Sequence, residues 1–195
     1  MAYNNNFNSC NDYCYRIDKK NEYTNIIEFT NNFVDEFEVG ENKTRFGAVS
    51  FATTIENEFQ LTDYYNASSI KYHFDTIMTK SGNGIWTNTP EAIDLVRTNI
   101  LLKGRNKTTS VVLITDGSPK LKNKSSKSMR ILTRTAIKKL RLDYPWVNIY
   151  SVGIGMKKSG KNLLKQISDT NNVFNVDDFS DLSTILNNVT DALCI

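Results

Sequence analysis

Residues 109–120 read TSVVLITDGSPK. Thr109–Thr115 is a short, nearly continuous apolar run rich in β-branched side chains. Such a run reads as a strand buried on both faces, the kind found in parallel sheets. Asp116-Gly117-Ser118-Pro119 ends it with turn formers. VNIYSVGI at 147–154 repeats the pattern, and between the two lies a stretch with helical spacing at about 125–142, with Met129, Leu132, Ala136 and Leu140 on the inward side.

The same reading extends in both directions. Upstream, Ile26, Phe29, Phe33 and Phe37 make a helical stripe within 22–38, and Gly40 follows as a stop signal. Strands are expected at Thr44–Ala52 and Ile55–Leu61, and a helix at 67–79 with Ile70, Phe74 and Ile77 in phase. Ser81–Thr89 reads as a loop, and Thr89-Pro90-Glu91 as the start of a helix running through Ile93, Val96 and Ile100. Downstream, a short helix is expected at Asn162–Ser168, a strand at Asn172–Val176 and a closing helix at Asp178–Leu193. Strands alternating with helices predict a doubly wound, mostly parallel α/β sheet with helices on both faces. The expected organisation is an atypical segment at 1–21 followed by one domain at 22–195.

Composition fits a globular domain, with 39% apolar and 23% charged residues over 195 positions. No apolar run approaches the roughly 18 residues of a spanning helix, so no membrane span is expected. The N-terminus lacks the basic and apolar regions of a signal peptide. Net charge is +3, unevenly spread: residues 1–60 carry 5 basic and 10 acidic side chains, whereas 103–141 carry 12 basic and one acidic, Asp116. That basic stretch is either a solvated face or a patch for a polyanion such as a glycosaminoglycan. Nucleic acid is not expected, since the stretch has no interleaved aromatics and no nucleic-acid motif.

The three cysteines, Cys10, Cys14 and Cys194, lie at the two ends of the chain. Pairing of Cys194 with Cys10 or Cys14 would staple the termini and implies an oxidising compartment. Sequons at Asn42, Asn66, Asn106, Asn123 and Asn188 agree with a secreted or extracellular glycoprotein, although 24 asparagines generate such triplets by chance.

In an open parallel sheet, ligands bind beyond the carboxyl ends of the strands. Asp116 falls there, and the loop holding Thr87 can reach the same edge. A carboxylate and a hydroxyl are hard donors suited to Mg2+ or Ca2+. His73 is the only histidine and sits on an apolar helix, a poor general base. GIGMKKSGK at 153–161 lacks the spacing of a phosphate loop and reads as a strand end and loop. Trp86, beside Thr87, reads equally as a rim aromatic or as loop packing.

KTRFGAVSFA at 43–52, WTNTPEAI at 86–93, VVLITDGSPK at 111–120 and VNIYSVGIG at 147–155 together resemble the von Willebrand factor type A domain, the family that includes the integrin inserted domains. The resemblance implies a non-enzymatic module that binds a protein ligand, such as a matrix protein or collagen, through a metal-ion-dependent adhesion site. Mg2+, Ca2+ or Mn2+ would occupy it, with Thr87 and Asp116 at the matching positions and a carboxylate of the partner completing the shell. The family's apolar first strand ending in D-x-S-x-S has no match in NNNFNSCNDYCYRIDKKNEY at 4–23. Counting back from the first helix puts Asp12, Cys14 and Arg16, or Tyr13, Tyr15 and Ile17, at those positions. In either register the sheet is expected to lack its apolar middle strand. The chain is then a piece of a longer sequence, carries a poorly apolar first strand, or is a metal-free matrix domain that binds collagen or glycosaminoglycan. An intracellular nucleotide-dependent enzyme is the remaining alternative, weakened by the lack of a glycine-rich phosphate motif.

Overall fold

The computed structural model describes residues 2–4, 19–79, 86–105 and 107–193. Cys10, Asp12, Cys14 and Cys194, the sequon at Asn106 and most of the Ser81–Thr89 loop lie outside the described residues. A six-stranded sheet has the order β3-β2-β1-β4-β5-β6. Its strands are β1 (Ala2–Asn4), β2 (Ala48–Phe51), β3 (Ile55–Phe59), β4 (Thr109–Thr115), β5 (Val147–Ile154) and β6 (Val173–Val176). All neighbours are parallel except β2 and β3, which a short turn joins as an antiparallel pair. The doubly wound, mostly parallel sheet is as expected.

β4 shows why the apolar run decides the fold. Val112 and Ile114 enter one core, and Val111 and Leu113 enter the other. On the first face lie α1 (Lys19–Asp35), α2 (Ala67–Thr79) and α6 (Leu186–Leu193), which bury Ile26, Phe29, Phe33, Ile70, Phe74 and Val189. On the second lie α3 (Thr89–Leu95), α4 (Ser126–Asp143) and α5 (Lys158–Ile167), contributing Ala92, Ile93, Ile137, Leu140, Leu163 and Ile167. α3 continues as a π-helical turn, Val96–Ile100, and a 3-10 turn, Leu101–Lys103. Ser125 caps α4 by accepting from the Ser128 amide at 3.1 Å.

Four expectations need correction. The middle strand is present: β1 lies between β2 and β4, built from Ala2–Asn4. It comes from residues well ahead of 12–17, because residues 5–18 separate it from α1. The buried stripe of α4 is turned towards Thr133 and Ile137, so Leu132 is only half-buried. α5 begins at Lys158, so part of 153–161 is helix. Gly160 lies close to its neighbours there: a Cβ would lie 2.5 Å from Met156 Cε and 3.2 Å from Ser118 Oγ. Finally, the closing helix is split. Asp178 and Asp181 form a capping box that starts a 3-10 segment, Phe179–Ile185, before α6 takes over.

Candidate functional site

The site is built where β4 stops. Thr115 is buried and its Oγ1 donates to the Gly117 carbonyl at 3.1 Å while accepting from the Gly117 amide at 3.3 Å. This clamp closes the turn on which half-buried Asp116 is carried. From the other side comes the segment that leads into α3. Thr87 pairs with Lys120: the Thr87 amide donates to the Lys120 carbonyl at 3.0 Å, and the Lys120 amide donates to the Thr87 carbonyl at 2.9 Å. The Asn88 amide donates to the Ala52 carbonyl at 2.9 Å, and the Trp86 amide to Thr53 Oγ1 at 3.2 Å. Residues 86–88 are therefore strapped between the end of β2 and the turn after β4, across the carboxyl end of β1.

That strap brings Thr87 to the Asp116 turn. Thr87 is buried, and its Oγ1 lies 3.4 Å from where a Cβ on Gly117 would sit. Glycine at 117 leaves the hydroxyl its place against the turn. Asn88 and Glu91 bond side chain to side chain at the start of α3 and hold the strap from behind. Lys120 reaches back so that its Nζ is 4.9 Å from the centre of the Trp86 ring, which is half-buried. Trp86 thus forms part of the rim and is packed there by a cation.

Both donors are hard oxygens of the kind that Mg2+ or Ca2+ takes. Among the described residues no group of three or more His, Cys, Asp or Glu side chains gathers at this edge or elsewhere. Asp116 and Thr87 fit a divalent cation in kind and would supply only part of a shell. β1 ends at Asn4, and the sequence after it, Asn5-Asn6-Phe7-Asn8-Ser9, contains no D-x-S-x-S.

Sequence reasoning missed Thr115, Gly117, Lys120 and Gly160 as parts of this edge. The roles of Gly117, Lys120 and Gly160 come from contacts between segments distant in the chain, for which a single sequence carries no signal, whereas the Thr115 clamp is local to the turn. His73 is no catalytic base in this arrangement. Tyr64 Oη is 3.2 Å from its Nδ1, and Glu58 Oε2 is 3.9 Å from its Nε2. Glu58 also accepts from buried Ser50. The carboxylate stands between hydroxyl and imidazole, so His73 is not positioned to take the Ser50 proton.

A broad basic face runs along α4 and α5. From Gly117 to Ser168 Asp143 is the only acidic residue, and Arg97 Nη1 holds it at 2.6 Å. The Arg97 guanidinium is raised above its usual range by the hydrogen bond to Asp143 first and that to Asp94 second. Arg134 reaches Gln166 of α5 at 2.8 Å, and Arg141 reaches Asp169 at 2.7 Å. Lys122, Lys124, Lys127, Lys138 and Lys139 are exposed.

The chain is similar to several known proteins. The collagen alpha-5(VI) chain of Mus musculus is 26% identical over 182 residues, covering 90% of this chain and 6% of that one. Matrilin-3 of Homo sapiens is 30% identical over 103 residues, covering 50% of this chain and 21% of its own. The chain therefore spans a small part of these relatives' length. Among solved structures, proximal thread matrix protein 1 from the mussel byssus matches with a TM-score of 0.74 at 25% identity, over 99% of this chain and 44% of that one. A structure of that protein with a zinc-occupied MIDAS motif matches with a TM-score of 0.79 at 25% identity. The profile of the von Willebrand factor type A domain matches residues 12–188. With the strand order, the T-D-G turn and the strapped threonine all in place, the chain belongs to the von Willebrand factor type A domain family.

Proposed function

We propose that this chain is a non-enzymatic adhesion module of the extracellular matrix that recognises a protein ligand at the Asp116–Thr87 edge. One observation carries the reading: the Thr87–Lys120 bridge sets the Thr87 hydroxyl against the turn that bears Asp116. A divalent cation, Mg2+ in the first place and otherwise Ca2+ or Mn2+, would bind to Asp116 and Thr87 and supply a positive centre for a ligand carboxylate. The Asp116 carboxylate would carry the charge, Thr87 would add a neutral oxygen, and Trp86 with Lys120 would border the ligand. A matrix protein such as collagen fits that role, in keeping with the matrix proteins among the relatives.

A secreted location and glycosylation belong to the same reading, as does a disulfide from Cys194 to Cys10 or Cys14. The sequon asparagines Asn42, Asn66, Asn123 and Asn188 are all exposed, which supports it. A second reading is a metal-free matrix domain that holds glycosaminoglycan or collagen on the basic α4–α5 face. The absence of D-x-S-x-S and the excess of exposed lysines favour it.

Binding to a panel of immobilised matrix proteins, in Mg2+ and in EDTA, tests the first reading for wild type and Asp116→Ala. Binding lost in EDTA and lost in Asp116→Ala, with unfolding temperature unchanged, is the expected result. Equal binding in all four conditions would remove the cation-dependent reading and leave the metal-free one.

A further inference from the structure

The two helical layers of the sheet present opposite charge to solvent. On one side, the outer stripe of α1 holds Glu28, Asn32 and Asp35, and that of α2 holds Tyr72 and Asp75, all exposed. Positions three or four residues apart fall in one line on a helix surface. The two helices pack together, and their lines are joined: Asn31 donates to Asp75 at 3.0 Å, and Lys71 donates to Asp35 at 2.7 Å. Lys71 is the only lysine or arginine among the described side chains of α1 and α2. Tyr72 stands 72% exposed amid these carboxylates. On the other side of the sheet, the outer stripe of α4 reads Lys127, Ile131, Thr135, Lys138 and Leu142, again all exposed and three or four residues apart. Ile131 is 47% exposed and Leu142 81%. One face thus sets an aromatic ring among carboxylates, and the opposite face sets two aliphatic side chains among lysines.

We propose that the α4 stripe is a docking surface for the α1–α2 ridge of a second copy of this chain. The proposal goes beyond the adhesion reading, which concerns the Asp116 edge, and gives α4 a different occupant from the glycosaminoglycan reading. A sulfated polysaccharide would pair with the lysines but leave Ile131 and Leu142 without an apolar partner, whereas the ridge brings carboxylates and the Tyr72 ring together. Exposed ion pairs add little each, so the apolar anchors carry the affinity, and the charges set orientation and salt dependence. α1 and α4 match in length, 17 and 18 residues, or roughly 26 Å each. Charge also excludes the symmetric alternatives. Two α4 stripes face to face would set lysine against lysine, and two α1–α2 ridges would set carboxylate against carboxylate. The contact is therefore heterologous. Because the two patches lie on opposite sides of the sheet, each docked copy leaves one patch of each kind unused, and the assembly grows as an open row.

The test is sedimentation equilibrium of the whole chain over a range of concentrations, in EDTA so that no cation-dependent contact contributes. Salt is set at about 0.01 M and at about 1 M, between which the screening length falls from about 30 Å to about 3 Å. At low salt the average mass should grow past that of two chains, and at high salt it should return towards that of one. Tyr72→Ala with Glu28→Ala removes one patch, and Leu142→Ala with Lys138→Ala removes the other. All four positions are exposed, so both variants should keep the wild-type unfolding temperature. Each variant alone should associate at least about tenfold more weakly than wild type. Mixed in equal amounts they should form a one-to-one pair and nothing larger, because each keeps the patch that the other lacks. A wild type that stays monomeric at low salt would overturn the proposal, and heparin bound by that monomer would make a polyanion the occupant of α4. Growth that stops at two chains, variants that assemble like wild type, or a mixture that fails to pair would overturn it equally.

Discussion

Gly153→Ala should destabilise the domain through packing alone. Gly153 lies in β5 and pairs with Thr115 on one side and Asn175 on the other, directly beneath the turn that carries Asp116. A Cβ at this position would sit 2.8 Å from Leu164 Cδ1, 2.9 Å from Asn175 Oδ1 and 2.9 Å from Met156 Cγ. Three close neighbours from three elements cannot all give way, and overpacking of this kind costs about 1–3 kcal/mol. Alanine in a strand interior recovers about 0.5–1 kcal/mol over glycine. With the cost at the upper end, because three contacts are violated, the net loss is about 2 kcal/mol. For a domain of this size that lowers the unfolding temperature by about 4–8 °C. In urea, with an m-value of about 2 kcal/mol/M, the midpoint should fall by about 1 M at unchanged slope. Gly40→Ala is the matched control, since a Cβ there meets only the Lys43 side chain at 3.4 Å or more. It should leave stability unchanged or raise it by up to about 1 kcal/mol. A Gly153→Ala protein as stable as wild type, or a Gly40→Ala protein weakened to the same degree, would refute the steric argument.

Thr87→Val keeps the shape of a buried side chain but removes its hydroxyl. It should lose the Mg2+-dependent part of adhesion for a stability cost of about 1 kcal/mol, and adhesion retained at the wild-type level in Mg2+ would exclude Thr87 as a donor. On a heparin column the domain should elute at a salt concentration that falls for Lys138→Ala combined with Lys139→Ala. Lys71→Ala, on α2 and paired with Asp35, should not move it. Peptide mapping of secreted protein without reductant should find Cys194 joined to Cys10 or Cys14. Because the closed loop is long, the chain-entropy account puts its contribution at about 4–5 kcal/mol as an upper range, and three free thiols would sink the pairing.

Much of the fold was legible because burial on both faces leaves a mark that needs no tertiary knowledge. Thr109–Thr115 and Val147–Ile154 have the same bounds in the structure as in the sequence reading, and so does the helix at 67–79. The ends of elements were less legible where a distant contact sets them. α5 starts at Lys158, and Gly160 in its first turn lies close to Met156 and Ser118, contacts that periodicity cannot register. The closing helix instead begins as a 3-10 segment behind the Asp178–Asp181 capping box, a local signal that the apolar periodicity does not register. At the candidate site, Asp116 was legible from the rule that ligands meet the carboxyl ends of strands, and Thr87 from the spacing of its motif. The bridge to Lys120 was not, because cross-chain pairing is a property of the folded loop.

The middle strand was misread for a physical reason. A central strand is normally announced by its own apolar run, because both its faces are buried. Here that position is held by Ala2–Asn4, too short and too polar to announce itself. Once the strand is overlooked, counting back from α1 seeks its carboxyl end near residue 12, whereas β1 ends at Asn4. The carboxyl end of the short β1 is shaped by a neighbouring segment. At its carboxyl end the strap at 86–88 closes over it and sets Thr87 beside the Asp116 turn, so that edge keeps its form.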